Sequence, residues 1–352
     1  MKLSTVAFAT AAAGAIGLGV LTVPAGAGSQ PDLPEVSAEE LVASVLTADA
    51  PAFGGTVEVD NALGLPALPG GMHDGPSPLT QPMTTFRVWS DGQGRGRLAL
   101  PSPGGEQVVI EDGTTLWRYD SSSRTATALE HGAVPAPHHA PVADPAEAAR
   151  ALIGAVQDSS TVAVDGTAEV AGRPVYELVL TPKPTERTLL REVRVAVDSA
   201  ERVPLQLTVL ANGSTEPALQ IGFSDLDVGP QDPALFQFTP PDGVAVERVE
   251  PPQAPSGHYP DLHPDLHDGA GSMIRRLDEG WDTVVIGQLP EAGSEAETDP
   301  LAMVGQLGRP VSGPWGDGWV VQTAVGTVLV ASDGRIAAGA VPQQVLEEAL
   351  TR

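Results

Sequence analysis

The side chains that could do chemistry are seven histidines and 45 carboxylates, set against 19 lysines and arginines and no cysteine at all. The densest group is His258, His263 and His267, interleaved with Asp261, Asp265 and Asp268 in the run HYPDLHPDLHD. Imidazole and carboxylate donors suit zinc or nickel. Pro260 and Pro264 discourage a regular helical ligand face, so the run reads as a solvated linker with a short Asp-Leu-His repeat. The remaining histidines also fall in expected loops, a poor place to hold a catalytic base rigid. Asp225-Leu226-Asp227 has no twelve-residue loop with a terminal glutamate to make it a calcium site. No Gly-x-Ser-x-Gly elbow and no Gly-x-x-x-x-Gly-Lys phosphate loop occurs. Gly92-x-Gly94-x-Gly96 stands between two strands and opens no helix, so it reads as a hairpin turn rather than a dinucleotide fingerprint. Without cysteine, disulfides, thiolate-held zinc, iron–sulfur clusters, thiol catalysis and lipidation of a cysteine are excluded. No catalytic residue, metal site or cofactor is expected.

What remains is the chemistry of apolar surface. The stretch Thr84–Leu129 is a meander of short strands broken by turn signals at Asp91-Gly92, Asp112-Gly113 and Asp120-Ser121. Its alternating apolar residues are Phe86, Val88, Leu98, Leu100, Val108, Ile110 and Leu116. Later strands repeat the pattern with Leu178, Leu180, Val193, Val195, Leu205, Leu207, Ile221 and Phe223. These fifteen residues are the candidate lining of an apolar cavity. Register errs by whole faces: a slip of one residue would invert the choice in any strand. Trp89, Trp117, Tyr119 and Tyr176 also fall on strands, as core and edge packing or as a ligand-facing wall.

The elements that must position this surface can be read in order. Ser37-Ala38-Glu39-Glu40 is a capping-box pattern opening a short helix with Leu41, Val45 and Leu46 on one side. Gly54–Asp60 reads as a first strand, and Asn61–Pro82 as a long Gly- and Pro-rich loop. After the meander, His131–Asp144 is a second Pro-rich loop. Asp144-Pro145 then starts a helix through Val156 with Leu152, Ile153 and Val156 as its apolar stripe. Strands follow at Thr161–Val170, Val175–Thr181, Arg191–Asp198, Val203–Leu210 and Ala218–Leu226, alternating as an antiparallel sheet with one dry face does. Beyond a Pro/His/Asp-rich linker, the sequence predicts a helix near Met273–Leu277, a strand Thr283–Leu289 and an acidic loop Glu291–Asp299. Strands Trp319–Ala324 and Thr327–Ala331, a turn at Asp333-Gly334 and a helix Pro342–Leu350 complete it.

Composition agrees. Aromatic residues are 4% of 352, so the core must be built from valine, leucine, isoleucine and alanine. Thirty-nine glycines and 34 prolines favour turns over long helices. A net charge of −26 argues against nucleic acid and against electrostatic docking on an anionic membrane surface. At the N-terminus Lys2 precedes an uncharged apolar run, Leu3–Val23, and Ala25-Gly26-Ala27 offers a small-x-small cleavage site. Residues 1–27 therefore read as a signal peptide or a membrane anchor, and the remainder as extracytoplasmic, secreted or held at the cell envelope.

The order of motifs resembles the LolA/LppX/RseB superfamily, most closely the LolA-like outer-membrane-lipoprotein-carrier homologues of high-GC Gram-positive bacteria. The specific pieces are D-G-x-x-L-W-x-Y-D at Asp112–Asp120 and L-F-x-F-x-P-P-x-G-V at Leu235–Val244. The resemblance implies a mainly β (α+β) fold: an unclosed antiparallel half-barrel over residues 34–250 with helices in its concave face. Residues 251–268 would be a linker and 269–352 a small C-terminal α+β unit of unknown role. It also implies a non-enzymatic role, holding a lipid or lipoprotein acyl chain in the concavity. An RseB-like sensor that binds an anti-sigma factor, a membrane protein partner, is the alternative. The partner-contact residues of a shuttling carrier are not identifiable, so the resemblance brings the cavity and not the shuttle. Two rival readings are a closed core made by the same residues and a secreted hydrolase lacking any recognisable nucleophile motif.

Overall fold

The computed structural model describes residues 31–64, 81–102, 104–130, 145–249, 274–277, 280–289 and 300–351. The expected signal segment, linker and acidic loop and all seven histidines lie outside these residues.

Helix α1 (Ala38–Thr47) begins where the capping pattern places it. The Ser37 hydroxyl accepts the Glu40 N–H at 3.1 Å, and Glu39 and Glu40 lie at the positive end of the helix. Strand β1 (Phe53–Asn61) is the hub of a twelve-stranded sheet. One wing is the meander β2 (Met83–Ser90), β3 (Gly96–Ser102), β4 (Gly105–Glu111), β5 (Thr115–Asp120) and β6 (Thr125–Glu130). The other wing follows helix α2 (Pro145–Val156) as β7 (Ser160–Val170), β8 (Arg173–Pro182), β9 (Leu190–Asp198), β10 (Pro204–Ala211) and β11 (Pro217–Val228). Both α2 and the five strands fall where the periodicity predicts them. The Gly92–Gly96 stretch is a hairpin turn. Gly92 and Gly94 have φ of 71° and 98°, and the Asp91 carboxylate accepts the N–H groups of Gln93 and Arg95.

Strand β12 (Ala245–Val249), not anticipated from sequence, pairs in parallel with β6. The strand order is β12-β6-β5-β4-β3-β2-β1-β11-β10-β9-β8-β7. Every other neighbour is antiparallel, and the two edges do not meet. The sheet is an open half-barrel whose helices α1 and α2 lie on one face. Their Leu41, Val45, Ala149 and Ile153 share a core with β1, β2 and β7–β11.

A second sheet has the order β13-β14-β18-β17-β16-β15. Its strands are β13 (Ile274–Leu277), β14 (Val284–Gln288), β15 (Arg309–Gly313), β16 (Gly316–Gln322), β17 (Thr327–Ala331) and β18 (Arg335–Gly339). Helix α3 (Pro300–Leu307) precedes β15, and helix α4 (Gln343–Thr351) packs Leu346 and Leu350 on Leu329 and Ala337. The helix expected near Met273–Leu277 is instead β13. Four residues cannot sustain a helix of their own, whereas pairing with β14 satisfies their backbone.

The second sheet docks on the β7–β9 end of the first. Trp281 enters the large core and donates its Nε1–H to Ser160 Oγ at 2.8 Å. Leu189 N–H and Thr188 Oγ1 both donate to Ala340 O, at 2.8 and 2.7 Å. Arg187 and Glu348 form a two-pronged ion pair at 2.7 and 3.0 Å.

Candidate ligand-binding face

Directly opposed residues of paired strands share a face, so the register assigns every side chain. Val57 stands opposite both Phe86 and Phe223, Ile221 opposite Leu207, Leu207 opposite Val195, and Val195 opposite Leu178. Phe86, Val88, Leu98 and Leu100 therefore lie on the same concave face as Leu178, Leu180, Val193, Val195, Leu205, Leu207, Ile221 and Phe223. All of these but Leu98 are buried, packed against or around the two helices. Val57, Val59 and Val209 belong to the same face; Val209 continues the Leu205–Leu207 stripe, and Val57 and Val59 were missed because β1 is half glycine and acid around them.

Two of the fifteen expected lining residues are on the other side. Leu98 pairs with Val109, and Ala99 with Val108. Val108 and Ile110 therefore face the convex back, together with Trp117, Tyr119, Ala126 and Ala128. The cause is visible in β4: Val108, Val109 and Ile110 are consecutive apolar residues, so alternation does not choose a face. Leu116 stays on the concave side, opposite Leu129.

The back is covered by the chain that follows β11. A 3-10 turn at Pro233–Phe236 buries Phe236, and Phe238 lies 5.3 Å from the Trp117 ring and 5.4 Å from that of Tyr119. Arg97 reaches Leu235 O, and Arg95 lies over the Phe236 ring. Both family-like motifs thus meet in one structural clasp, which delivers the chain to the outer edge of β6 as β12. Trp89 is also a back-face residue, stacked under the Arg87 guanidinium beside an open groove of about 240 Å³. Of the four strand aromatics only Tyr176 is on the concave side, its hydroxyl donating to Pro34 O at 2.9 Å.

The concave face has two zones. Over β1, β2 and β7–β11 the helices close it. At the join of α2 with β10 and β11 an apolar crevice of about 20 Å³ remains, lined by Pro51, Phe53, Ala146, Arg150, Leu205, Phe223 and Leu226 among others. That is room for roughly one water. Phe53 and Phe223 meet edge to face at 5.5 Å. Gly55 makes this arrangement possible, since a Cβ there would stand 3.0 Å from the Phe223 ring. Over β3–β6 the face continues as half-buried Leu98, Val109, Leu116 and Leu129 and ends at exposed Val249.

Polar contacts tie down α2 at two places. Arg150 Nε on α2 donates to Val45 O near the end of α1 at 3.2 Å. At the far end of α2, Ser160 Oγ donates to Val156 O at 2.6 Å while accepting from Trp281. A buried hydrogen-bond chain therefore runs from the second sheet to the last turn of α2. Among the described residues no cluster of three or more His, Asp or Glu side chains could hold a metal ion, and no helix is long and apolar enough to cross a membrane.

No family model and no curated protein matches the chain. Solved structures do. The Pseudomonas aeruginosa MucA/MucB complex is similar at 19% identity, over 89% of this chain and 96% of that one, with a TM-score of 0.46. A LolA superfamily protein from Nitrosomonas europaea is similar at 15% identity over 58% of this chain and 99% of that one, with a TM-score of 0.24. A putative outer membrane lipoprotein-sorting protein domain from Vibrio parahaemolyticus is similar at 11% identity over 56% and 94%, with a TM-score of 0.22.

Proposed function

We propose that the chain is a non-enzymatic binding protein of the cell envelope that holds an acyl chain of a lipid or lipoprotein against the concave face. The observation that supports this reading is the mismatch between that face and its cover. Apolar side chains run across it from β7 to β12, while α1 and α2 pack only on part of it. The interior under the helices is filled by the chain's own residues, so a tail must enter by displacing them. The energies allow it. Fully burying Leu41 or Val45 is worth roughly 1.5–3 kcal/mol each, and ten methylenes of a hydrocarbon tail roughly 8 kcal/mol. The helices then act as a lid that the guest replaces. The apolar N-terminal run supports export to the compartment where such ligands are found.

Native mass spectrometry of the protein purified from its own host, with lipid extraction, tests the reading. An adduct of acyl-lipid mass is expected. A clean protein mass, together with no uptake of added lipid, overturns it. Because the chain has no cysteine, a single fluorophore on Leu46→Cys, an exposed position on α1, reports the lid directly: its emission should shift when lipid is added.

A second reading, an RseB-like sensor binding an anti-sigma factor, is favoured by the hydrogen-bond chain from the second sheet to α2, which offers a path from ligand to partner. Co-purification with a membrane-anchored anti-sigma factor would support it over the carrier.

A further inference from the structure

Arg150, on α2, is one of the residues that line the apolar crevice. Its Nε is spent on Val45 O, but its Nη2 is buried and has no hydrogen-bond partner. A buried charged donor without an acceptor is destabilising, and native interiors rarely leave one. The side chains beside it, Pro51, Phe53, Leu205, Phe223 and Leu226, offer no acceptor. A cation in the wall of a hydrocarbon-lined crevice is the complement of one kind of molecule. We propose that Arg150 receives the anionic headgroup of an acyl amphiphile whose tail passes between α2 and strands β10 and β11.

This inference rests on the acyl-binding reading above and adds the class of headgroup. A guanidinium presents parallel N–H donors that match a carboxylate or phosphate. The tail would leave the headgroup at Arg150 and run past Leu205 and the Phe53–Phe223 pair. The net charge of −26 does not oppose this. Charges farther away than about 10 Å are largely screened at 0.1 M salt, while a partly buried contact is screened much less.

The test uses the full chain stripped of lipid, with palmitate and its uncharged counterpart monopalmitoylglycerol as probes in a fluorescent displacement assay. Wild type should bind palmitate at least about tenfold more tightly, the size expected for one charge-assisted hydrogen bond. Arg150→Gln should bind both equally, and Arg150→Lys should recover most of the preference. Circular dichroism of each variant shows that it is folded. Equal affinity of the two probes in wild type, or an undiminished preference in folded Arg150→Gln, would overturn the headgroup assignment and leave acyl binding standing. Binding of neither probe would overturn acyl binding itself, and the headgroup assignment with it.

Discussion

At the scale of single residues, the turns are governed by aspartates whose carboxylates are more useful ionised than protonated. The Asp120 carboxylate is lowered to about 2 by the hydroxyl of Ser122, the N–H of Ser123 and further donors. Asp198 is the buried case. Burial works against its charge, yet the Arg173 guanidinium at 2.5 Å and the N–H groups of Glu201 and Ala200 more than offset it, and its pKa is lowered. Asp91, Asp112 and Asp333 are lowered in the same way. A carboxylate with a depressed folded pKa adds stability that is fully present above its unfolded value of about 3.9 and is lost as pH falls through the folded value. The thermal midpoint should therefore hold near pH 5 and fall steadily toward pH 2. Asp198→Asn keeps the turn acceptor but loses the ion pair, and should cost about 2 kcal/mol at pH 7 by urea unfolding, with a shallower acid slope. An unchanged slope would mean that Asp198 contributes nothing to the acid transition. Asp91, Asp112, Asp120 and Asp333 were legible in the sequence as turn signals, because a side chain that caps its own turn needs no distant partner, whereas Asp198 read only as the end of a strand. The face of Val108 and Ile110 was not legible, because it is set by hydrogen-bond register with β3.

At the scale of elements, what could be read locally was read well: both helix starts, the hairpin at Gly92 and the five strands after α2. What depended on distant pairing was missed. Ala245–Val249 is exposed along its whole length and shows no alternation to betray a strand. It exists because β6 offers it an edge. The clasp that brings it there makes a separable prediction. Phe236 is buried on the convex side, away from the concave face. Phe236→Ala should cost about 3 kcal/mol of stability through lost burial and the cavity left behind. Lipid retention per folded molecule should be unaltered, since no concave residue is touched. Loss of retention in a variant that remains folded by circular dichroism would show that the two faces communicate.

At the scale of the whole molecule, the question is whether the two sheets unfold separately. In the sequence a Pro/His/Asp-rich linker separates the two units along the chain. In space they are in contact: Trp281 is a core residue of the large sheet although it lies in the chain just before β14 of the small one. Ala324 N–H also donates to Leu63 O, and Val325 packs against the large core, so the two sheets are joined at more than one point. Removing Trp281 should cost roughly 3–5 kcal/mol as a large buried aromatic and leave Ser160 Oγ without its donor. Calorimetry should show one transition for the wild-type chain and two for Trp281→Ala, the small sheet melting first because its own core is smaller. The same variant cuts the hydrogen-bond chain at Ser160, leaving the last turn of α2 less firmly anchored. Bound lipid should then exchange faster in Trp281→Ala below the first transition, when both sheets are still folded. Two separate transitions in the wild type, or identical exchange in the variant, would make the docking of the small sheet incidental to the lid.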